Sequence, residues 1–380
     1  MKSIIIIGGG PAGTSASIVL LKQGYDVILV DKCSFPRDKL CGGLLTGRAK
    51  RVYQEIFKTD FEQCFESVAN GAGVYNSSKL VNEVKQSSEW FLTKRYDFDY
   101  FLLKKAKLNG LKTYLNDKVA KLDFNSKTLS LSSGTLLNYD YLIGADGVNS
   151  FVAKQLFGSP FNRKKIGLAL EVELPKGLHK YHQPSIHFNI VSWGYGWVFP
   201  KKNSDTFGIV GLYKLNPRLT ETFQKFHKVL YGSRFTGQIK GCYIPFGDFR
   251  KVPGRENVLL VGDAAGLVDA LTGEGIAFAM ESGAFAAQAI IHSISSGKDA
   301  LWHYQKSHKK LAKELRITKR LAYFLYSPWF NRIFLKALPH GKILLQMHVD
   351  LMNEKISYIQ FQRNLIRMAI RKVFQNLRFI

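Results

Sequence analysis

Ser3-Ile4-Ile5-Ile6-Ile7-Gly8-Gly9-Gly10-Pro11-Ala12-Gly13, followed after one helical stretch by Val27-Ile28-Leu29-Val30-Asp31, decides the fold. Four consecutive isoleucines read as a strand buried on both faces, because β-branched side chains suit a pleated surface and no polar residue alternates with them. Thr14–Gln23 reads as a helix whose buried face carries Ala16, Ile18, Val19, Leu20 and Leu21. Gly24 stands where a helix end favours a left-handed residue. Strand, glycine loop, helix and second strand make one βαβ unit. Gly8 permits the tight turn, Gly10 lets the backbone approach a pyrophosphate, and Gly13 lets helix and strand pack closely. The helix N-terminus adds free N–H groups and a partial positive charge. Asp31, at the tip of the second strand, accepts from ribose hydroxyls and disfavours a 2′-phosphate, so FAD or NAD is expected and NADP is not. A ligand-free glycine turn is the alternative; the register of strand, helix and terminal acid argues against it.

Two distant segments separate FAD from NAD. Tyr141-Leu142-Ile143 runs into Gly144-Ala145-Asp146-Gly147, followed by Ser150. Val258-Leu259-Leu260-Val261 runs into Gly262-Asp263-Ala264-Ala265-Gly266, ahead of Thr272-Gly273-Glu274-Gly275. A nicotinamide protein has no need of these. A flavin protein needs an acid at the ribityl hydroxyls and a helix N-terminus facing the pyrimidine side of the ring, which is negative when reduced. Gly275-Ile276, opening an Ala-rich helix to Ile291, fits that place. For Asp263 alone, an ordinary helix-capping aspartate is the rival reading.

The 380 residues suit a two-domain protein or one large discontinuous one, and 46% hydrophobic content supports a sizeable core. No run of eighteen apolar residues appears, and the N-terminal apolar run ends in glycines without a cleavage site. A cytoplasmic location follows as the default. Cys33, Cys41, Cys64 and Cys242 form no CxxC pair, so neither a metal site nor a dithiol motif is expected. Net charge is +25, and from Leu301 onward 16 Lys and Arg stand against 3 Asp and Glu. In that region Trp329–Lys336 and Phe361–Phe374 mix apolar with basic residues, as peripheral membrane segments do. A helical cap with a solvated basic face is the rival reading. No nucleic-acid module is recognised, so no nucleic-acid partner is expected.

Elsewhere, Phe98–Leu108 reads as a helix, Tyr53–Trp90 as mixed and irregular, and Lys165–Leu212 as short half-exposed antiparallel strands. The expected architecture is α/β. A Rossmann-like FAD-binding domain spans 1–75, 92–160 and 242–298. An antiparallel-sheet substrate domain spans 76–91 and 161–241. A basic helical region covers 299–380.

Over roughly residues 1–290 the chain resembles the flavoprotein superfamily of para-hydroxybenzoate hydroxylase, and within it the geranylgeranyl reductase family. The carriers are Phe35-Pro36-Arg37-Asp38-Lys39-Leu40-Cys41-Gly42-Gly43, Arg95 with Phe98-Asp99, Gly196-Trp197-Val198-Phe199-Pro200, and Gly262 through Gly275. The resemblance implies flavin contacts from Ala12, Asp31, Cys41, Gly42 and Arg95, from the backbone of Val119, and from Asp263, Gly275 and Ile276. Where the family often has Asn-Pro, Asp269-Ala270 stand here.

Cys41 follows Arg37 and Lys39 and precedes two glycines that permit close approach to the flavin ring. The resemblance implies that it lies beside the flavin, tuning it or assisting proton delivery; a small packing residue is the rival reading. Tyr195, Trp197 and Phe199 share one face of a strand by period two. A sheet core would use them equally well; the resemblance implies an aromatic wall for a long apolar substrate. The expected reaction is reduction of C=C bonds in a prenyl, geranylgeranyl-type substrate by hydride from reduced FAD. With no second dinucleotide loop, electrons come from transiently docked NAD(P)H or an external carrier. The alternative is a flavin monooxygenase acting on an apolar or aromatic substrate.

Overall fold

The two faces of the first strand explain the architecture. In the computed structural model, which describes residues 2–178, 181–329, 331 and 342–377, Ile4 and Ile6 of β1 (Ile4–Ile7) enter one apolar cluster and Ile5 and Ile7 another. A strand covered on both sides needs no polar alternation. β1 pairs in parallel with β2 (Val27–Asp31) and β10 (Tyr141–Gly144). β6 (Lys112–Leu115) extends one edge; β17 (Val258–Leu260) and the antiparallel β16 (Gly254–Arg255) extend the other, in the order β16-β17-β10-β1-β2-β6. Helices α1 (Pro11–Leu21), α2 (Gly47–Phe57), α3 (Arg95–Leu108) and α6 (Ile276–Ser296) pack on the first cluster. Helices α4 (Phe151–Phe157) and α7 (Ala300–Leu325) pack on the second.

The second sheet has eight strands in the order β15-β11-β14-β13-β12-β4-β5-β3. They are β3 (Leu44–Leu45), β4 (Ser67–Asn76), β5 (Lys79–Leu92), β11 (Gly167–Pro175), β12 (Ser185–Phe188), β13 (Gly194–Pro200), β14 (Ser204–Leu212) and β15 (Lys240–Ile244). Of the segment Tyr53–Trp90 read as irregular, the part from Ser67 onward is a long hairpin, β4–β5, whose alternation is hidden by bulges between Ala69 and Gly71 and between Val74 and Tyr75. It begins at Ser67, ahead of the expected boundary at 76. A helix, α5 (Leu219–Tyr231), covers the face of Leu170, Val172 and Val198. A small sheet of β7 (Val119–Asp123), β8 (Thr128–Leu131) and β9 (Leu136–Asn138) completes the strands.

Past α7 the chain continues as α8 (Lys342–Met352) and α9 (Tyr358–Leu377). Most of the apolar-basic stretch Trp329–Lys336, namely residues 330 and 332–336, and the side chains of 369–374 lie outside the described residues. No helix among the described residues is long and apolar enough to cross a membrane.

Candidate functional site: a cofactor edge that opens into an apolar cavity

Parallel register brings three loops to one edge. Ile7 aligns with Gly144, and Gly144 with Leu260, so the chain leaves β1, β10 and β17 side by side. Gly8 has φ +109°, and a Cβ there would stand 2.3 Å from the Ala145 carbonyl oxygen, so the first loop lies directly on the second. A Cβ on Gly13 would stand 1.9 Å from the Gly8 carbonyl oxygen, which is the close packing that glycine permits. Gly10 is the N-cap of α1 and supplies no side chain, leaving the first-turn N–H groups open.

Asp31 is buried and organises this loop. Its Oδ2 accepts the Gly9 N–H at 2.6 Å and its Oδ1 the Cys33 N–H at 2.9 Å. Val119 opens β7 near Asp31, whose carbonyl accepts the Asp117 N–H at 3.1 Å; it stands apart from the cavity described below.

A guanidinium pair faces Gly10. Arg95 Nε and Nη2 donate to Asp99 at 2.5 and 2.6 Å, and Arg37 Nη2 lies 3.1 Å from the same carboxylate. The two guanidinium groups stand 3.9 and 3.6 Å from where a Gly10 Cβ would be. Burial works against ionisation of Asp99, yet Arg95 and then Arg37 hold its carboxyl below the usual range. Two cations on one anion leave positive charge over the glycine loop, as a diphosphate requires.

Cys41, Gly42, Asp263, Gly275 and Ile276 meet at the same edge. Asp263 lies 3.5 Å from Lys39 Nζ and 3.6 Å from the position of a Gly275 Cβ. Gly275 caps α6 without a side-chain bond, and Ile276 is its first residue, so a second open helix end faces the space. By contrast, Asp146 turns away: its carboxylate accepts Ser150 Oγ at 2.5 Å and the Phe151 and Val152 N–H groups at 2.7 and 3.2 Å. It caps α4, the rival reading for a strand-tip acid. Asp269, where the family often has Asn, accepts the Leu271 and Thr272 N–H groups and the Tyr358 hydroxyl, so it builds the turn leading into α6.

Tyr195, Trp197 and Phe199 share one face of β13, with ring centroids 6.0 and 6.3 Å apart in sequence order. That face spans the two cofactor-side loops. A Cβ on Gly42 would meet Phe199 at 2.8 Å and Trp197 Nε1 at 3.2 Å; one on Gly273 would meet Tyr195 Oη at 2.8 Å. Trp197 Nε1 is buried without a hydrogen-bond partner, an orphan donor beside Gly42.

A cavity of about 680 Å³ begins at Gly10, Ala12 and Arg95, passes Cys41 and the aromatic face, and ends among side chains of α7, α8 and α9. Its far walls include Val74, Trp90, Phe188, Leu325, Met352 and Phe361. Burial lowers the His348 imidazole in this wall to about 4, so it is neutral at neutral pH. At the rim, Phe324 and Ile366 are exposed and Arg320 is basic.

Two carboxylates had no assigned role in the sequence reading. Glu274 lines the cavity, and its Oε1 accepts the Thr46 hydroxyl. Glu171, on the same face of β11 as Ala169, accepts the Cys41 N–H at 3.1 Å. Burial pushes each up to about 7, against the pull of Arg48 on Glu274 and of Lys201 on Glu171. Glu274 sat inside a quoted motif. The signal at Glu171 was an acid within the apolar run Gly167–Leu174. Among the described residues no His, Cys, Asp and Glu cluster forms a metal site.

The chain is similar to known flavoproteins. The FAD binding domain family matches residues 1–185. An uncharacterized protein of Methanosarcina barkeri is 29% identical over 93% of this chain and 89% of its own. The menaquinone reductase of Mycobacterium tuberculosis is 27% identical over 86% and 85%, and the geranylgeranyl diphosphate reductase of Synechocystis is 29% identical over 78% and 76%. Among solved structures, a geranylgeranyl bacteriochlorophyll reductase-like protein of Thermoplasma acidophilum superposes with TM-score 0.73 at 21% identity, covering 94% and 92%. The flavin-dependent brominase Bmp2 does so with TM-score 0.72 at 20%, covering 98% and 99%, so the fold is common to several flavin chemistries. Open helix ends, a cationic glycine loop and an orphan indole donor suit FAD, and the chain is an FAD-dependent oxidoreductase that is similar to geranylgeranyl reductases.

Proposed function

We propose that the protein saturates C=C bonds of a prenyl chain. The observation that carries this reading is the continuity of the cavity: one space runs from the cofactor edge along Tyr195, Trp197 and Phe199 into apolar walls. A long hydrocarbon suits it, since burial of each CH₂ contributes roughly 0.8 kcal/mol. The prenyl substrate named for the Synechocystis relative points the same way.

In this reading the α1 N-terminus, with Gly8, Gly10, Ala12 and Gly13, holds the diphosphate, and Arg95 and Arg37 neutralise it. Asp31 takes the ribose and the Val119 backbone the adenine. Asp263 meets the ribityl chain, while Gly275 and Ile276 present the α6 N-terminus to the pyrimidine side. Cys41 and Gly42 lie against the ring. When bound and reduced, FAD supplies the hydride. The chain's own residues orient the alkene on the aromatic face and exclude water. NAD(P)H or an external carrier is the electron source.

The α7–α9 end of the cavity, with exposed Tyr323, Phe324 and Trp329, is the peripheral contact with an anionic bilayer, and the substrate enters there. The cofactor strands and the eight-stranded sheet serve as cofactor-binding and substrate-binding parts.

The test is anaerobic. Dithionite-reduced holoenzyme is mixed with geranylgeranyl diphosphate, and product mass is read. A gain of two hydrogens per turnover supports the reading. Product that forms only with oxygen and carries a hydroxyl group establishes the monooxygenase alternative instead.

A further inference from the structure

Alkene reduction needs a proton as well as a hydride, and a donor must reach the cavity. Cys41 is one candidate there, but its sulfur accepts the Gly43 N–H at 3.4 Å. We propose that Glu274 delivers this proton, with the Thr46 hydroxyl orienting its carboxyl group; the inference rests on the reductase reading above.

Position comes first. Glu274 lies between Gly273, which abuts Tyr195 Oη, and Gly275, the N-cap of α6. It therefore stands between the aromatic face for the substrate and the helix end for the cofactor, and it lines the cavity between them.

Hydrogen bonding comes next. Thr46 Oγ1 accepts the Ala49 N–H at 3.3 Å as the N-cap of α2, and donates its own proton to Glu274 Oε1. The Thr46 hydroxyl occupies Oε1 as an acceptor, so Oε2 is the oxygen left to carry a transferable proton. The turn is fixed on both sides, with the Glu274 N–H on Thr272 Oγ1 at 3.1 Å and the Glu274 carbonyl accepting the Asp269 N–H at 2.9 Å.

Charge then sets the proton's availability. The facing groups are Arg48 from α2, Asp269 from the same loop, Glu354 after α8 and Tyr358 from α9. Arg48 is already engaged by Glu281 at 2.5 Å and Glu314 at 2.8 Å, which blunts its pull. Burial leads, Asp269 and Glu354 push the same way, and the carboxyl titrates at about 7. A general acid works best with a pKa near the working pH.

The step balances. The alkene π bond breaks and two C–H bonds form. One uses the hydride, which carries both electrons and leaves the flavin oxidised; the other uses the proton from Oε2. Glu274 is left as carboxylate and regains a proton from solvent, and a two-electron donor, dithionite in the test, resets the flavin.

Holoenzyme, Glu274→Gln and Glu274→Asp are compared in anaerobic single turnovers with geranylgeranyl diphosphate, after the visible flavin spectrum shows that cofactor is bound. Glu274→Gln is expected to slow product formation about a hundredfold and to lose the decline in rate above about pH 7. Glu274→Asp is expected to retain part of the rate and the decline. Independently of turnover, infrared spectra of the resting protein should show protonated-carboxyl C=O absorption that fades through about pH 7, shared by Glu171 and Glu274, and Glu274→Gln should lose the Glu274 share while Glu171→Gln keeps it. If Glu274→Gln binds no flavin, Thr46→Val and the infrared band that remains in Glu171→Gln decide. Wild type that saturates the substrate while Glu274→Gln keeps its rate, or a Glu171→Gln protein without the band, overturns the inference. Wild type that does not saturate the substrate overturns the reductase reading itself.

Discussion

Glu171 Oε1 accepts the backbone N–H of Cys41 at 3.1 Å, while Glu171 Oε2 is buried with no partner. One side chain of the eight-stranded sheet thus fastens the Cys41 loop, and half of its hydrogen-bonding capacity is unmet. Burial raises the carboxyl from an ordinary 4.5 to about 7, with Lys201 the main opposing charge. The folded state then binds the proton more tightly than the unfolded one. The penalty is absent below about pH 4.5, grows as pH rises to about 7 and persists above. Glu171→Gln, which keeps an acceptor and removes the charge, should gain stability relative to wild type by as much as about 3 kcal/mol on going from pH 5 to pH 8. Urea denaturation at the two pH values checks this, and a constant difference refutes it. Glu171→Leu should cost about 1 kcal/mol at pH 5 by leaving the half-buried Cys41 N–H unpaired.

The Arg95–Asp99 pair is buried on both sides. Asp99→Ala leaves Arg95 without its bidentate partner and should destabilise the fold by about 3–5 kcal/mol. Arg95→Met tests a different property: FAD affinity should fall more than about tenfold, because a charge-assisted contact contributes about 1.5–3 kcal/mol. Titration of apoprotein with FAD, followed by flavin fluorescence, measures it. Unchanged affinity would remove Arg95 from the diphosphate site.

Legibility followed locality. The β1–loop–α1–β2 unit obeys rules that act within thirty residues, so Gly8, Gly13 and Asp31 could be placed from sequence. The aromatic face of β13 was readable because period two is a property of one strand. Asp146 was read as a flavin-facing acid, but a strand-tip acid can equally serve a helix start, and its bonds to Ser150 and the first turn of α4 give it that role. The β4–β5 hairpin was hidden because bulges break its alternation. Glu171 and Lys201 are brought together only by strand pairing in the second sheet, and buried charges have no sequence signal until their partners are known.

Gly42 carries a sharper test. An added Cβ would lie 2.8 Å from Phe199, closer than side chains tolerate. Gly42→Ala should alter the visible flavin spectrum and slow alkene reduction by more than about tenfold. Phe199→Leu made alongside it should restore part of the loss, since the smaller side chain gives room. Absence of rescue would mean that the effect arises from the loop's own backbone.

The proposed bilayer contact has its own check. Tyr323 and Phe324 are 68% and 58% exposed, so changing both to Ser should leave the melting temperature nearly unchanged. Co-sedimentation with vesicles containing anionic lipid should fall sharply and be weakened by salt in the wild type. Equal sedimentation of wild type and variant rules out this patch as the contact.

Gly283 of α6 lies so close to α1 that a Cβ there would stand 2.1 Å from the Ala12 carbonyl oxygen. The phosphate loop's own helix is therefore walled by a segment made some 270 residues later. During synthesis the nascent chain shows the dinucleotide signature almost at once, yet its lodging is finished only after α6 has left the ribosome. A fragment ending at residue 185 would carry the signature without the α6 wall.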